Sequence, residues 1–332
     1  MRRIESGELR KQFIIFKLSI IIFTFSIFLL SSCATISRNT AQRDTGDFSL
    51  LPQGGQLYLW AQVNEARDLL DSISFEGMQL SQAKVILDRT NTAAAVFFGT
   101  DTDNHTPGSV SRFFLNLRGN FPSFQAGLSF TFSRDWKRLR SITGNSFWQS
   151  EGMGLGIAMN KDLALVTAGD PYLLLPANSR IPAVIVPDGF DEFRKASALS
   201  GWIPDNEPVN KFLSDLGIPI QIPAEDFFFK AHKLTASVEN HETGNDEWEL
   251  EFLIRTPSAN HSQGLLMLFS LARPFIMSLN SGEDRSSIMN FIPALFANQP
   301  SRNGNELMLR SAPFTTMELA LLFNIISLYS HQ

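Results

Sequence analysis

The chain is 332 residues long, has a formal net charge of −5 and contains a single cysteine. One cysteine cannot build a disulfide framework, and a net acidic chain is ill suited to nucleic-acid phosphates. With 44% hydrophobic residues and 29 phenylalanines, the fold must stand on an apolar core.

The first seventeen residues carry Arg2, Arg3, Arg10, Lys11 and Lys17, and Leu18 to Leu30 holds nothing more polar than Ser19, Thr24 and Ser26. This is a basic region followed by an apolar one, the pattern of a secretion signal. The run from Leu18 is shorter than the ~20 residues that cross a bilayer, although counting from Phe13 brings it close. Length alone leaves a signal peptide and a membrane anchor both open. The following residues, Leu30-Ser31-Ser32-Cys33, resemble the lipobox of bacterial lipoproteins. The resemblance implies a diacylglycerol on the Cys33 thiol, cleavage just before it, and a protein held to a membrane in the bacterial cell envelope, outside the cytoplasm. It covers about the first tenth of the chain and assigns a processing class alone. Residues 1–32 are then the signal peptide. Their removal takes five basic side chains from 28 and two acidic ones from 33, leaving a net charge of about −8. An acidic body read as having no basic tract argues against nucleic acid and against adhesion to anionic lipid.

Residues 33–52 are mostly small and polar, which suits a flexible tether. Beyond it, two halves are expected, 53–170 and 188–330, joined through the stretch containing Pro171, Pro176, Pro182 and Pro187. In the first half, Gln56 to Val63 reads as a strand, and Asn64 is a plausible cap for a helix over Glu65 to Asp71. Ser81 caps a second helix through Asp88, and Ala93 to Phe98 and Arg112 to Arg118 read as strands. Phe121 to Phe132 fits helix or strand, and Ser133 to Leu139 reads as helix. The apolar positions of Trp148 to Ile157 and Leu163 to Thr167 predict a closing hairpin that turns at Asn160-Lys161-Asp162.

In the second half, Asp188-Gly189 opens a helical stretch to about Ser200, and Pro208 starts another through Leu216. Phe227 to Val238 pairs with Glu247 to Thr256, whose Trp248, Leu250, Phe252 and Ile254 share a buried face while Glu249, Glu251 and Arg255 mostly share a wet one. Helices follow over Ala259 to Leu279, Asp284 to Ala297 and Thr315 to Tyr329, with a strand over Glu306 to Ser311. The expected fold is α+β: two similar-sized halves, mainly antiparallel sheet, with helices packed on one face.

Few residues carry a catalytic signature. His105, His232, His241, His261 and His331 lack metal-ligand spacing. Ser81-Gln82-Ala83-Lys84 matches the nucleophile pattern of β-lactamases without its partner motifs, so Ser81 reads as a helix cap. Gly152, Gly154 and Gly156 resemble a dinucleotide fingerprint, but strand, not helix, follows them, and a bare glycine face serves close packing. No cofactor, metal or catalytic residue is expected. The adjacent rings Phe97-Phe98, Phe113-Phe114 and Phe227-Phe228-Phe229 point to opposite faces of their strands, so each group needs cover from both sides or lines an apolar groove.

Two helices are apolar around most of their circumference, Leu265 to Met277 and Leu319 to Leu328. Pro274 should kink the first near residue 270. Leu268, Phe269, Phe275, Met277, Leu322 and Phe323 are therefore the candidate surface for an apolar ligand or partner. The leading reading is a non-enzymatic, lipid-anchored scaffold or binding protein for another envelope component. A carrier of lipid or another apolar ligand in a Phe- and Met-rich cleft, and a hydrolase with dispersed catalytic residues, are the alternatives.

Overall fold

A computed structural model describes residues 45–72, 88–98, 113–122, 130, 136–150, 154–178, 181–207, 210, 221–234, 247–278 and 291–329. In chain order the first strands are β1 (Leu57–Gln62), β2 (Thr90–Phe97), β3 (Phe113–Gly119), β4 (Trp136–Arg140), β5 (Ser146–Ser150), β6 (Leu155–Met159) and β7 (Leu163–Ala168). They are followed by β8 (Leu199–Ile203), β9 (Asp226–Lys233), β10 (Glu247–Arg255), β11 (Ser301–Asn303), β12 (Glu306–Arg310) and β13 (Phe314–Thr315). The helices are α1 (Arg67–Ser72), α2 (Phe190–Phe193), α3 (Ala259–Ser278), α4 (Ile292–Leu295) and α5 (Thr316–Tyr329). Sheet dominates, and every described strand pairing is antiparallel. The class is α+β.

The described residues fall into two units, one drawn from Met1–Gly55 and Ser74–Ile185, the other from Gln56–Ile73 and Val186–Gln332. The second unit thus takes β1 and α1 from early in the chain. Tyr58 of β1 stands opposite Trp202 of β8, and their rings stack at 4.5 Å. Pairing of this kind joins segments some 140 positions apart, which no local pattern displays.

In the first unit the strands lie in the order β2-β3-β7-β6-β5-β4. The hairpin β6–β7 turns where expected, with the Asn160 side chain accepting the backbone N–H groups of Asp162 and Leu163. Its core gathers Leu117, Phe121, Phe130, Trp136, Leu155, Ile157, Ala164 and Val166. Gly156 lies so near the Gly169 carbonyl that a Cβ would come within 1.5 Å of its oxygen. The glycine at 156 admits neighbouring backbone, as a bare glycine face suggests, whereas Gly154 has open space around it and takes φ +66, a turn conformation.

Several expectations need correction. Residues 45–52 are not tether: Thr45–Leu50 forms a 3-10 turn, Phe48 and Leu51 are buried, and Pro52 bridges Ala183. The aromatic and aliphatic side chains at the end of this polar stretch are enough to pull it into the core. Ser133 to Leu139 is not a helix over its described part, because Trp136–Arg140 pairs with β5. Around Asp188, the helix ends after Phe193, Ala196 adopts φ 60, and Leu199 begins β8. Left-handed backbone at Ala196 stops the helix, and pairing of β8 with both β1 and β9 overrides the local pattern. The predicted helices at 81–88 and 208–216 and the ambiguous stretch 121–132 lie largely outside the described residues.

The sheet of the second unit runs β11-β12-β10-β9-β8-β1, with β13 also paired to β10. Pairing of β9 with β10 is as expected, Phe252 lying opposite Phe229. Alternation then sorts the side chains. Trp248, Leu250 and Ala231 meet Leu319, Ala320 and Leu322 of α5, Leu69 of α1 and Ala66 just before it. Farther along the same face, Ile254 with Leu307 and Leu309 of β12 meets Leu265 and Phe269 of α3.

The opposite face is not wet. Phe190 packs on Trp202 and Phe228, at ring distances of 4.7 and 5.3 Å, and Phe193 also lies against Phe228. Leu253 and Glu251 are buried there. Helical cover on a single face is therefore too simple for this unit, since α2 covers part of the second face. The triplet Phe227-Phe228-Phe229 explains why: with rings sent both ways, cover is needed on both sides.

Candidate functional site

Helix α3 is built to keep one face in and leave the other uncovered. Ser258 caps its start, its Oγ accepting the His261 backbone N–H and lying 2.8 Å from His261 Nδ1. The buried Ser262 hydroxyl donates to the carbonyls of Ala259 and Gly304 at 2.9 and 2.7 Å, which ties the first turn to the β11–β12 turn. Leu265 and Phe269, four residues apart, face the core, and Phe269 packs on Phe296 at 5.5 Å.

The outward residues are apolar too. Met267 is 57%, Leu268 45% and Leu271 77% exposed, and Gly264 and Pro274 are exposed beside them. The sole charged side chain in the helix, Arg273, is half-buried and hydrogen-bonds to the Ala297 carbonyl, so it leaves that face uncharged. At its N-terminal end the face runs into a groove of about 270 Å³ lined by Gln221, Pro223, Asn260, His261, Gly264, Leu265 and Leu268. The helix runs through Pro274 to Ser278.

Burial separates the residues singled out from sequence. Leu268 is exposed and borders the groove, whereas Phe269, 5% exposed, and Leu322, 3% exposed, are core residues. Leu322 and Phe269 belong to different clusters, one around Trp248 and one around Ile254, so these positions do not line a common cleft. The side chains of Phe275, Met277 and Phe323 lie outside the described residues, as do Cys33, Ser81, Lys84, His105, His241, His331 and Gly152. Met267 and Leu271 were missed, although both lie in the apolar run; uniform hydropathy hides which way each points. On α5, Met317 and Leu321 are also exposed, while Thr315 and Glu318 form a reciprocal capping box at its start.

A second group sits on the opposite sheet face of the same unit. Glu251, with its side chain 6% exposed, lies 3.2 Å from Lys230 Nζ and 3.3 Å from Arg310 Nε, and His232 Nε2 lies 3.3 Å from Glu249. With Lys195 and Ala196 they line a shallow pocket of about 190 Å³. Each carboxylate faces a cation or an imidazole, and Lys230 rests on the Phe193 ring, while His232 Nδ1 is buried without a hydrogen-bond partner among the described residues. Nearby, Asp226 pairs with Arg255 at 3.3 Å, yet its pKa is raised above the usual carboxylate value. Burial outweighs the guanidinium, and Glu225 and Asp188 push the same way. Among the described residues, no group of three or more His, Cys, Asp or Glu is placed to hold a metal, and no helix is long and apolar enough to cross a membrane.

No protein-family model and no curated protein matches the chain. Solved structures do resemble it. Crystal form III of TP0453 superposes with a TM-score of 0.55 at 16% identity, covering 86% of this chain and 100% of the other. Form IV gives 0.52 at 16% identity over 84% and 100%, and form I gives 0.52 at 16% identity over 86% and 99%. At that identity the likeness concerns the fold alone.

Proposed function

We propose that this chain, which shares the α+β fold of TP0453, is a lipid-anchored protein of the bacterial cell envelope that acts by binding another envelope component. The anchor reading rests on Leu30-Ser31-Ser32-Cys33 behind the apolar run. One acyl chain alone binds a membrane only marginally, so stable anchoring needs the further acylation that lipoproteins of this type receive.

The binding reading rests on one observation above all: the uncharged face Met267, Leu268 and Leu271 of α3, exposed among the described residues of a unit that buries apolar side chains on both sheet faces. Contiguous exposed apolar surface of this kind marks an interaction site. A carrier is the weaker account. Ligand cavities for molecules of drug size span about 300–1,000 Å³ and enclose most of the ligand, whereas the groove beside α3 holds about 270 Å³ and is open.

The test uses the lipidated protein with Met267→Asp and Leu271→Asp together. Both side chains lie in water, so stability should change by about 1 kcal/mol or less. Cross-linked envelope partners recovered with the wild type should be lost from the variant. Undiminished recovery would refute the α3 face, and an intact mass showing free Cys33 in the native host would refute the anchor.

A further inference from the structure

The first turn of α3 is held in place by a two-residue hairpin. Gly304 and Asn305 join β11 to β12, with Asn303 standing opposite Glu306. Gly304 takes φ +59 while Asn305 keeps a negative φ, the pattern of a type II′ turn, which wants glycine at its first central position. The Gly304 carbonyl accepts the Ser262 hydroxyl at 2.7 Å, and Arg302 Nη1 donates to the Ala259 carbonyl at 3.0 Å. On the strand side, Thr256 donates to the Asn305 carbonyl through its N–H and its hydroxyl, at 2.9 and 2.8 Å. The turn thus links the end of β10 to the start of α3.

This turn also carries the one Asn-Gly pair in the chain. Asparagine is chemically labile because the backbone nitrogen of the next residue reaches its side-chain carbonyl carbon. Glycine, having no side chain, leaves that nitrogen open to react. Asn303 and Gly304 are both exposed, and a Cβ on Gly304 would meet nothing within 4 Å. The Asn303 side chain makes no hydrogen bond among the described residues. Asn305 is the opposite case: its Nδ2 donates to the Thr256 carbonyl at 3.0 Å, and the residue after it is Glu306, whose side chain crowds the nitrogen.

Ring closure has to turn the peptide between Asn303 and Gly304 out of the ladder. β11 is three residues long, exposed throughout and last in its unit's sheet order. Opening its final rung is therefore a local event that leaves the rest of the sheet paired.

We infer that Asn303-Gly304 is a site of spontaneous deamidation whose products loosen the start of α3. The Gly304 nitrogen forms a bond to Asn303 Cγ and gives up its proton, and the side-chain amide leaves as ammonia. Water then opens the cyclic imide at one of its two carbonyls, giving aspartate or isoaspartate, with no oxidant or reductant involved. Aspartate at this position faces Glu306 directly across the strands, and like charges so placed destabilise the pair. Isoaspartate adds a methylene to the backbone, so the pairing with Glu306 and the Gly304 bond to Ser262 no longer fit together. Either product weakens the hold on the helix whose outer face is the proposed binding surface. The modification stands without that reading; only its effect on partner binding rests on it.

The experiment incubates the mature lipidated protein in mildly alkaline buffer and follows it by peptide mapping and by hydrogen exchange. Residues 303–310 form one tryptic peptide that holds both Asn303 and Asn305, so the second asparagine is an internal control. The gain in mass from amide to acid, with isoaspartate among the products, should build up at Asn303 and not at Asn305. Asn303→Gln, whose longer side chain closes the ring poorly, should abolish the gain and keep the turn, because the side chain it replaces is exposed. In the converted protein and in Asn303→Asp, hydrogen exchange across Ala259 to Leu265 should quicken, by up to roughly fivefold for one like-charge pair. No conversion at Asn303 while a free peptide spanning Ser301 to Arg310 converts, or equal conversion at Asn305, would overturn the site. Unchanged exchange over the first turn of α3 in fully converted protein would overturn its link to the helix.

Discussion

Leu268 and Phe269 are neighbours in sequence and opposites in environment, which makes them a sharp test of how α3 is seated. Phe269 is 5% exposed and packs among Leu265, Ile254, Leu307 and Phe296. A phenylalanine buries about 150–250 Å². At roughly 25 cal/mol per Å² that is about 4–6 kcal/mol, an upper bound because the unfolded chain hides some of the same surface. Phe269→Ala should therefore cost about 3–5 kcal/mol, in line with large-to-small changes in other cores. Phe269→Asp adds a buried charge without a partner and should remove most of the ~5–15 kcal/mol that holds a domain together. Leu268, 45% exposed, has already left half its surface in water, so Leu268→Asp should cost about 1 kcal/mol. Urea unfolding followed by tryptophan fluorescence measures both, Trp248 reporting on the same unit. Comparable losses at the two positions, or less than about 1 kcal/mol for Phe269→Ala, would show that α3 is not seated as described.

Two further outcomes are expected. Glu251→Gln leaves Lys230 without its buried counter-charge and weakens the bond from Arg310, so stability should fall by about 2–4 kcal/mol, less than for a fully buried pair because Arg310 is half exposed; a loss below about 0.5 kcal/mol would mean that the pair does not hold. For Asp226 the folded pKa lies above its unfolded value, so its contribution to stability is complete below the unfolded pKa and is lost as pH rises through the folded one. Asp226→Asn should accordingly flatten the fall in stability across that window without weakening the fold at pH 7, and a variant markedly less stable at pH 7 would show that the Arg255 ion pair outweighs burial.

Local pattern was enough for much of the architecture. Alternation marked β1, β2, β3, β9, β10 and β12, the Asn160 turn marked the β6–β7 hairpin, and sustained apolar periodicity marked α3 and α5, because each of these signals lies within one element and its neighbours. It failed where partners distant in the chain decide. Residues Ser133 to Leu139 have helical composition, yet β5 claims Trp136–Arg140 as a strand. The Lys230–Glu251–Arg310 group was equally hidden. Its members come together through the register of three strands, and a slip of one residue would turn them to the other face.

The candidate surface shows the same division. Hydropathy alone identified α3 as a helix with more apolar area than one sheet face can take, and the proposal of a lipid anchor rests on the first 33 residues of the sequence alone. Which apolar residues face water was a tertiary decision. Phe269 and Leu268 are equally hydrophobic, and only the position of Ile254, Leu307 and Phe296 buries the first and leaves the second, with Met267 and Leu271, uncovered. The hydrophobic effect has no direction of its own; the packing partners supply it.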